Sequence, residues 1–203
     1  MADLFSKSFP EEIHLDMDDA SVILYPNFIT LKDSEIYFQK LLKETPWQQD
    51  DIKVFGKTYA QPRLTALYAD NYKPYSYSNI TMHPLKFTPV LKTIKENVEE
   101  IAKVKFTTCL LNLYRDGNDS NGWHADDERE LGKNPIIASV SLGTDRIFKF
   151  RKKDDKKETV KIVLKAGSLL IMKDETQHHW QHQIPKTKRQ IGARINLTFR
   201  IVH

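Results

Sequence analysis

Apolar positions along this chain follow two different periods. Between Thr88 and Ile101, the residues Leu91, Ile94, Val98 and Ile101 recur at helical spacing. Thr88 is placed to cap that helix, and Pro89 to occupy its first position, where the missing N–H has no partner to lose. An earlier helix is predicted from a cap at Asp33 or Ser34 to about Lys43, with Ile36, Tyr37, Leu41 and Leu42 as its apolar stripe and Pro46 just beyond its end. Most of the rest alternates with a period of two, as strands do. Strands are expected over Val22–Tyr25, Leu64–Ala69, Thr108–Arg115, Pro135–Leu142 and Ser168–Met172. One hairpin is expected from Asp51 to Ala60, turning at Gly56-Lys57, and another from Arg146–Arg151 to Thr159–Leu164. Residues 1 to about 20 read as a loosely held arm. The pattern predicts a β-rich α+β chain with its helices near the start.

The clearest alternation is the last. From Gly192 to Val202, Ala193, Ile195, Leu197, Phe199 and Ile201 alternate with Arg194, Asn196, Thr198 and Arg200. Two arginines on one strand face suit an anionic ligand, because the guanidinium fork matches carboxylates and phosphates. A solvated outer face is the plainer reading of the same residues.

Length and charge narrow the picture a little. A chain of 203 residues, 40% hydrophobic and 29% charged, is expected to form a single domain with a sizeable core. Its net charge of +4 is compatible with a polyanionic partner. The one cysteine, Cys109, cannot form an intrachain disulfide, which favours an intracellular setting. Met1 to Asp19 has neither a signal-peptide nor an anchor pattern, and no stretch is apolar enough to span a bilayer, so no membrane partner is expected.

Candidate chemistry begins at Trp123-His124-Ala125-Asp126-Asp127. His124 and Asp126 stand two apart, so in an extended chain they share a face and could take adjacent positions on a metal. One more histidine would complete the 2-His-1-carboxylate set that suits non-haem Fe(II). His178 and His182 are both available, and their spacing does not choose between them. By itself the fragment reads more simply as a surface loop with a hydrogen-bonded His–Asp pair. In Thr108 to Arg115, Leu110, Asn112 and Tyr114 share a face and offer an amide and a phenol to a ligand. Tyr68, Tyr72, Tyr75 and Tyr77 crowd one loop, where they could stack on an unpaired base or seal a core edge. Lys152 to Lys157, with Arg151, Lys186, Lys188 and Arg189, could meet backbone phosphate or simply form solvated turns.

Taken together, these segments resemble the AlkB family of Fe(II)- and 2-oxoglutarate-dependent dioxygenases. The resemblance rests on Asn112-Leu113-Tyr114, Trp123 to Asp127, Pro135 to Ser139, His182 and the run Arg194 to Arg200. Pro62 to Thr65 and Tyr75 to Thr81 resemble the branch that repairs alkylated nucleic acid. It implies a double-stranded β-helix, or jelly roll, with the helices backing its sheet. It implies Fe(II) held by His124, Asp126 and His182, with O2 as oxidant and 2-oxoglutarate bound by Asn112, Tyr114, Arg194, Asn196, Thr198 and Arg200. Arg194 would take the distal carboxylate, with Arg200 near the metal-bound end. Substrate contact is implied for Asp127, for Phe55, Gly56 and Lys57 of a gripping hairpin, and for Tyr75, Ser76 and Tyr77. The chain divides accordingly into an arm and helix to about residue 50, a nucleotide-recognition region to about 105, and an oxygenase core from about 106 to 203. The implied reaction demethylates N-alkylated bases such as 1-methyladenine and 3-methylcytosine in single- or double-stranded DNA, or in RNA, releasing formaldehyde and succinate. A monomer is expected, in the cytoplasm of a bacterium or in the nucleus or cytoplasm of a eukaryote. The rival readings are the same chemistry on another substrate, a non-catalytic nucleic-acid-binding module, and a metal-binding jelly roll without 2-oxoglutarate.

Overall fold

The computed structural model describes residues 11–54, 57–70, 75–77 and 80–203, and for residues 52–54, 57, 75–77, 80 and 81 it describes the backbone alone. In chain order its elements are β1 (Ile13–His14), β2 (Ser21–Tyr25), α1 (Leu31–Glu44), β3 (Asp51–Val54), β4 (Lys57–Ala60), β5 (Leu64–Ala69), β6 (Tyr75–Tyr77), β7 (Ile80–Met82) and α2 (Pro89–Ala102). There follow β8 (Thr108–Tyr114), β9 (Asn121–His124), β10 (Ile137–Gly143), β11 (Arg146–Lys152), β12 (Thr159–Leu164), β13 (Leu169–Lys173), the short α3 (Thr176–His179), β14 (Trp180–Ile184) and β15 (Arg194–Arg200).

Among the described residues, two sheets carry the fold. The larger has seven strands in the order β1-β2-β13-β10-β15-β8-β5, and the smaller has four in the order β12-β11-β14-β9. Strands that are neighbours in space but distant in sequence, such as β15 between β10 and β8, give the crossing connections of a jelly roll. The separate pairs β3–β4 and β6–β7 are antiparallel hairpins.

The large sheet is buried on both faces. On one, Phe38 and Leu41 of α1 and Leu91, Ile94 and Val98 of α2 pack on Ile171, Val140, Leu197, Leu111 and their neighbours. On the other, Leu24, Met172, Ile137 and Tyr114 meet Phe148, Phe150, Trp180 and Ile184 of the small sheet. The site lies in this second, inter-sheet layer.

α2 forms as its sequence predicts, with the Thr88 side chain accepting from the Leu91 amide. α1 departs from expectation. Its cap is Thr30, whose side chain accepts from Asp33 N, so the helix starts earlier than a cap at Asp33 or Ser34 would place it. Its inward side is Ser34, Phe38 and Leu41, whereas Ile36 is 51% exposed. Two overlapping stripes compete in that segment, and the large sheet accepts the one containing Phe38. The stretch after residue 10 is tied down rather than loose: β1 pairs with β2, Met17 is buried, and Trp180 Nε1 donates to the Asp18 carbonyl. In the first hairpin Val54 pairs with Lys57, so Lys57 belongs to β4 and not to the turn. Phe55, Gly56 and Tyr72 lie outside the described residues. Tyr68 is not a loop residue; it is buried in β5 with its ring centroid 6.3 Å from that of Phe87.

Candidate active site

Strand register brings the two histidines together. β9 and β14 are antiparallel neighbours, and His124 stands directly opposite His182. Their ring centroids are 4.2 Å apart. Phe148 lies nearly parallel to the His182 ring at 5.2 Å, which fixes that imidazole from the β11 side. Asp126 follows the end of β9 and turns inward, where it is 1% exposed. The ligand atoms of His124, Asp126 and His182 all fall within 4.8 Å of one another. His178 stays apart: it is exposed in the turn of α3, and its Nε2 is 2.8 Å from Asn134 Oδ1. The helical turn breaks the strand period that would have put His178 and His182 on one face.

Each member of the triad is oriented by a neighbour, as metal ligands are. His124 Nδ1 lies 2.8 Å from the Gly122 carbonyl, which can only accept, so the proton sits on Nδ1 and Nε2 carries the lone pair. Burial, followed by the neighbouring charge of His124, pushes His182 down to about 3, so this imidazole is neutral at physiological pH. Burial opposes a charge on Asp126, but Arg200 and the two histidines outweigh it and hold the carboxyl below its usual range. Arg200 Nη2 donates to Asp126 Oδ1 at 2.7 Å, and Asp126 N donates to Gln177 Oε1 at 2.9 Å. Oδ2 then faces His182 Nε2 at 4.0 Å. Burial lowers His124 as well, and two imidazoles beside an ionised carboxylate are a donor set that fits Fe(II).

A small cavity opens at the triad, which itself forms part of the lining. The inward residues of β8 and β15 form one wall: Leu110, Asn112 and Tyr114, then Asn196, Thr198 and Arg200. Every residue of β15 is buried, so its polar face is not a solvated outer face. Arg194 sits behind this wall at 1% exposure, its guanidinium 5.4 Å from the centre of the Tyr114 ring. Its Nη2 donates to Ser141 Oγ at 2.9 Å and to Asn196 Oδ1 at 2.7 Å. Among the described residues its Nε and Nη1 have no hydrogen-bond partner. Burial pushes this guanidinium down to about 10, which leaves it charged at neutral pH. A buried cation with unsatisfied donors is costly unless an anion meets it, so this end of the site fits a dicarboxylate such as 2-oxoglutarate.

The predicted amide and hydroxyl lining turns mostly toward other protein groups. Asn196 Oδ1 accepts from Ser139 Oγ as well as from Arg194, and its Nδ2 donates to Thr198 Oγ1 at 2.7 Å. Asn112 Oδ1 accepts from Arg63 Nε at 2.8 Å. These residues shape the cavity as a pre-connected network. Arg63, Ser139, Ser141 and Gln177 are parts of the site that sequence reasoning missed. For the serines a signal existed, since Ser139 and Ser141 are the polar positions, two apart, of an otherwise apolar strand.

Predicted substrate residues lie elsewhere. Asp127, next to Asp126 in the chain, has its side chain 49% exposed and its Oδ2 2.8 Å from Lys153 Nζ. Lys57 begins β4, and Tyr75, Ser76 and Tyr77 form β6, described in backbone only. Arg151 is engaged within the protein, its guanidinium 4.3 Å from the Trp123 ring centre and its Nη2 2.7 Å from Gln181 Oε1. Lys149, Lys161, Lys186 and Arg189 line a second cleft with Arg146.

Comparisons with known proteins identify the family. Residues 21–200 match the 2OG-Fe(II) oxygenase superfamily. Over 191 residues the chain is 45% identical to alpha-ketoglutarate-dependent dioxygenase alkB homolog 3 of Mus musculus, covering 90% of this chain and 66%, just under two thirds, of that protein. It is 35% identical to DNA oxidative demethylase ALKBH2 of Arabidopsis thaliana, covering 97% of this chain and 71% of that one. The solved structure of OsALKBH1 superposes with a TM-score of 0.64 at 18% identity, over 88% of this chain and 97% of that one, a likeness of fold. The chain belongs to the AlkB family within the 2OG-Fe(II) oxygenase superfamily.

Proposed function

We propose that this protein is an Fe(II)- and 2-oxoglutarate-dependent oxygenase that removes N-methyl groups from alkylated bases of nucleic acid, DNA first among them. The observation that carries this reading is the His124–Asp126–His182 cluster with the buried guanidinium of Arg194 on the adjoining sheet, whose Nε and Nη1 have no partner among the described residues. When bound, Fe(II) and 2-oxoglutarate supply with O2 an oxidation in which the co-substrate loses CO2 to become succinate and the N-methyl carbon is hydroxylated.

The chain's own part is positioning and electrostatics. His124, Asp126 and His182 hold the metal, and Arg200 keeps the Asp126 carboxylate ionised and fixed in direction. Arg194 pairs with the distal carboxylate of the co-substrate. Asn112, Tyr114, Asn196 and Thr198 define its channel, and Leu110, Phe148, Met172 and Ile184 keep the remaining walls apolar. Asp127 stands one peptide beyond the metal-side carboxylate, on the rim where a base would enter. A carboxylate there favours bases that carry positive charge when methylated on their pairing edge, such as 1-methyladenine and 3-methylcytosine. The base must be single-stranded or flipped from a duplex to enter. The relative from Arabidopsis thaliana is named a DNA oxidative demethylase, which supports DNA as substrate. The cleft formed by Lys149, Lys161, Lys186 and Arg189 offers cations to the phosphate backbone.

The test is mass spectrometry of a single-stranded DNA oligonucleotide carrying one 3-methylcytosine, incubated with protein, Fe(II), ascorbate and 2-oxoglutarate. Loss of one methyl group is expected in the wild type and not in His124→Ala. Succinate without demethylation would redirect the substrate to RNA or beyond. Neither product from iron-loaded protein would overturn the reading.

A further inference from the structure

Asp127 does not stand alone on the rim. Lys153 Nζ is 2.8 Å from its Oδ2 and 2.9 Å from the Gln177 carbonyl oxygen. The backbone of Lys153 is fixed as well, its N–H donating to the His179 carbonyl at 2.7 Å. Both carbonyls belong to α3, and the side chain of Gln177 receives the Asp126 amide. The ammonium is therefore set by the same turn that fixes the metal-side carboxylate. At 32% exposure it is held more firmly than an ordinary surface lysine.

We propose that Lys153 is a specificity-determining residue that sets how strongly the rim discriminates by charge. This rests on the reading of Asp127 as a contact for the base. An ammonium bonded to Oδ2 cancels much of the field that Asp127 presents to a third charge. A cationic base approaching the carboxylate also meets the repulsion of Lys153, whereas a neutral base meets neither effect. Lys153 thus reduces the advantage of cationic lesions and keeps neutral N-methylated bases within reach. The pair is part-exposed, so its influence is that of a tuned ion pair and not of an absolute gate.

The test measures kcat/KM on two matched single-stranded oligonucleotides, one with cationic 3-methylcytosine and one with neutral 3-methylthymine. Lys153→Met is expected to raise the cationic-to-neutral ratio by about two- to fivefold, the span of an exposed ion pair. Lys153→Arg keeps the charge and is expected to stay near the wild-type ratio. Asp127→Asn lowers the ratio, and Lys153→Met added to Asp127→Asn raises it by less than Lys153→Met does alone, because an ammonium released from Oδ2 is held less firmly beside the entering base. Two outcomes overturn the proposal. Lys153→Met could lower both substrates equally, the mark of a phosphate grip or of support for α3 alone. It could also shift the ratio as much in the Asp127→Asn background as in the wild type. If Asp127→Asn leaves the ratio unchanged, the reading of Asp127 fails, and the proposal with it. If Asp127→Asn moves the ratio and Lys153→Met does not, the proposal alone fails.

Discussion

The two faces of β15 share one backbone and one degree of burial, yet they do opposite work. Ile195, Leu197 and Phe199 are fully buried against the helix-side core. Arg194, Asn196, Thr198 and Arg200 are buried on the other side, where the last three line the cavity and Arg194 sits behind that wall. The apolar face contributes stability through area removed from water. The polar face costs stability until its donors are met, and Arg194 Nε and Nη1 are not. β8 repeats the division, with Cys109, Leu111 and Leu113 on one face and Leu110, Asn112 and Tyr114 on the other. On these two strands one face joins the helix-side core, and the other gives its polar side chains to a site set within the inter-sheet core.

Substitutions on the two faces should therefore fail differently. The largest effect is expected on the functional side. Asp126→Ala removes a ligand and leaves Arg200 without its carboxylate, so iron content and succinate formation should fall to background. Metal analysis alongside a turnover assay checks this, and full iron retention would move the metal elsewhere.

Leu197→Ala tests the helix-side face. Truncating a fully buried leucine should cost about 2–5 kcal/mol of stability. Denaturant unfolding would show this, while the activity of the remaining folded protein should change little. An undiminished midpoint would mean that this layer collapses around the void.

Arg194→Met makes the complementary test. Losing a charge-assisted contact worth about 1.5–3 kcal/mol should raise the KM for 2-oxoglutarate by about 10- to 150-fold. The ligand-free protein should melt no lower than wild type, because the variant no longer buries a charge. Added 2-oxoglutarate should raise the wild-type Tm and have little effect on the variant. A variant that melts far below wild type yet keeps its KM would reverse the assignment of the two faces.

The smallest effect is expected farthest from the site. Thr30→Ala removes the side-chain acceptor for Asp33 N and should cost about 1 kcal/mol. It should leave kcat and KM unchanged, and a shift in either would mean that α1 couples to the cavity.

Much of this arrangement was legible in the chain. The alternation of β15 and β8 defines their two faces whatever the tertiary context, because successive side chains of a strand must point apart. α2 carries its own start signal and stripe. Other features depend on contacts between distant residues. Ile36 and Phe38 compete as apolar positions of one helix, and only the sheet beneath selects Phe38. Arg63 joins the site by reaching Asn112 on a neighbouring strand.

Which residues can share a face, and which donor types are available, follows from local backbone geometry and side-chain chemistry and is therefore written in the chain. Tertiary structure decided which of them meet. His182 rather than His178 faces His124 because α3 takes up His178, and antiparallel pairing of β14 with β9 aligns His182. Asp126 turns inward because Arg200 and Gln177 receive it there, while Asp127 turns to Lys153. No local rule contains these outcomes, since each is the energy of a contact between segments that only folding brings within bonding distance.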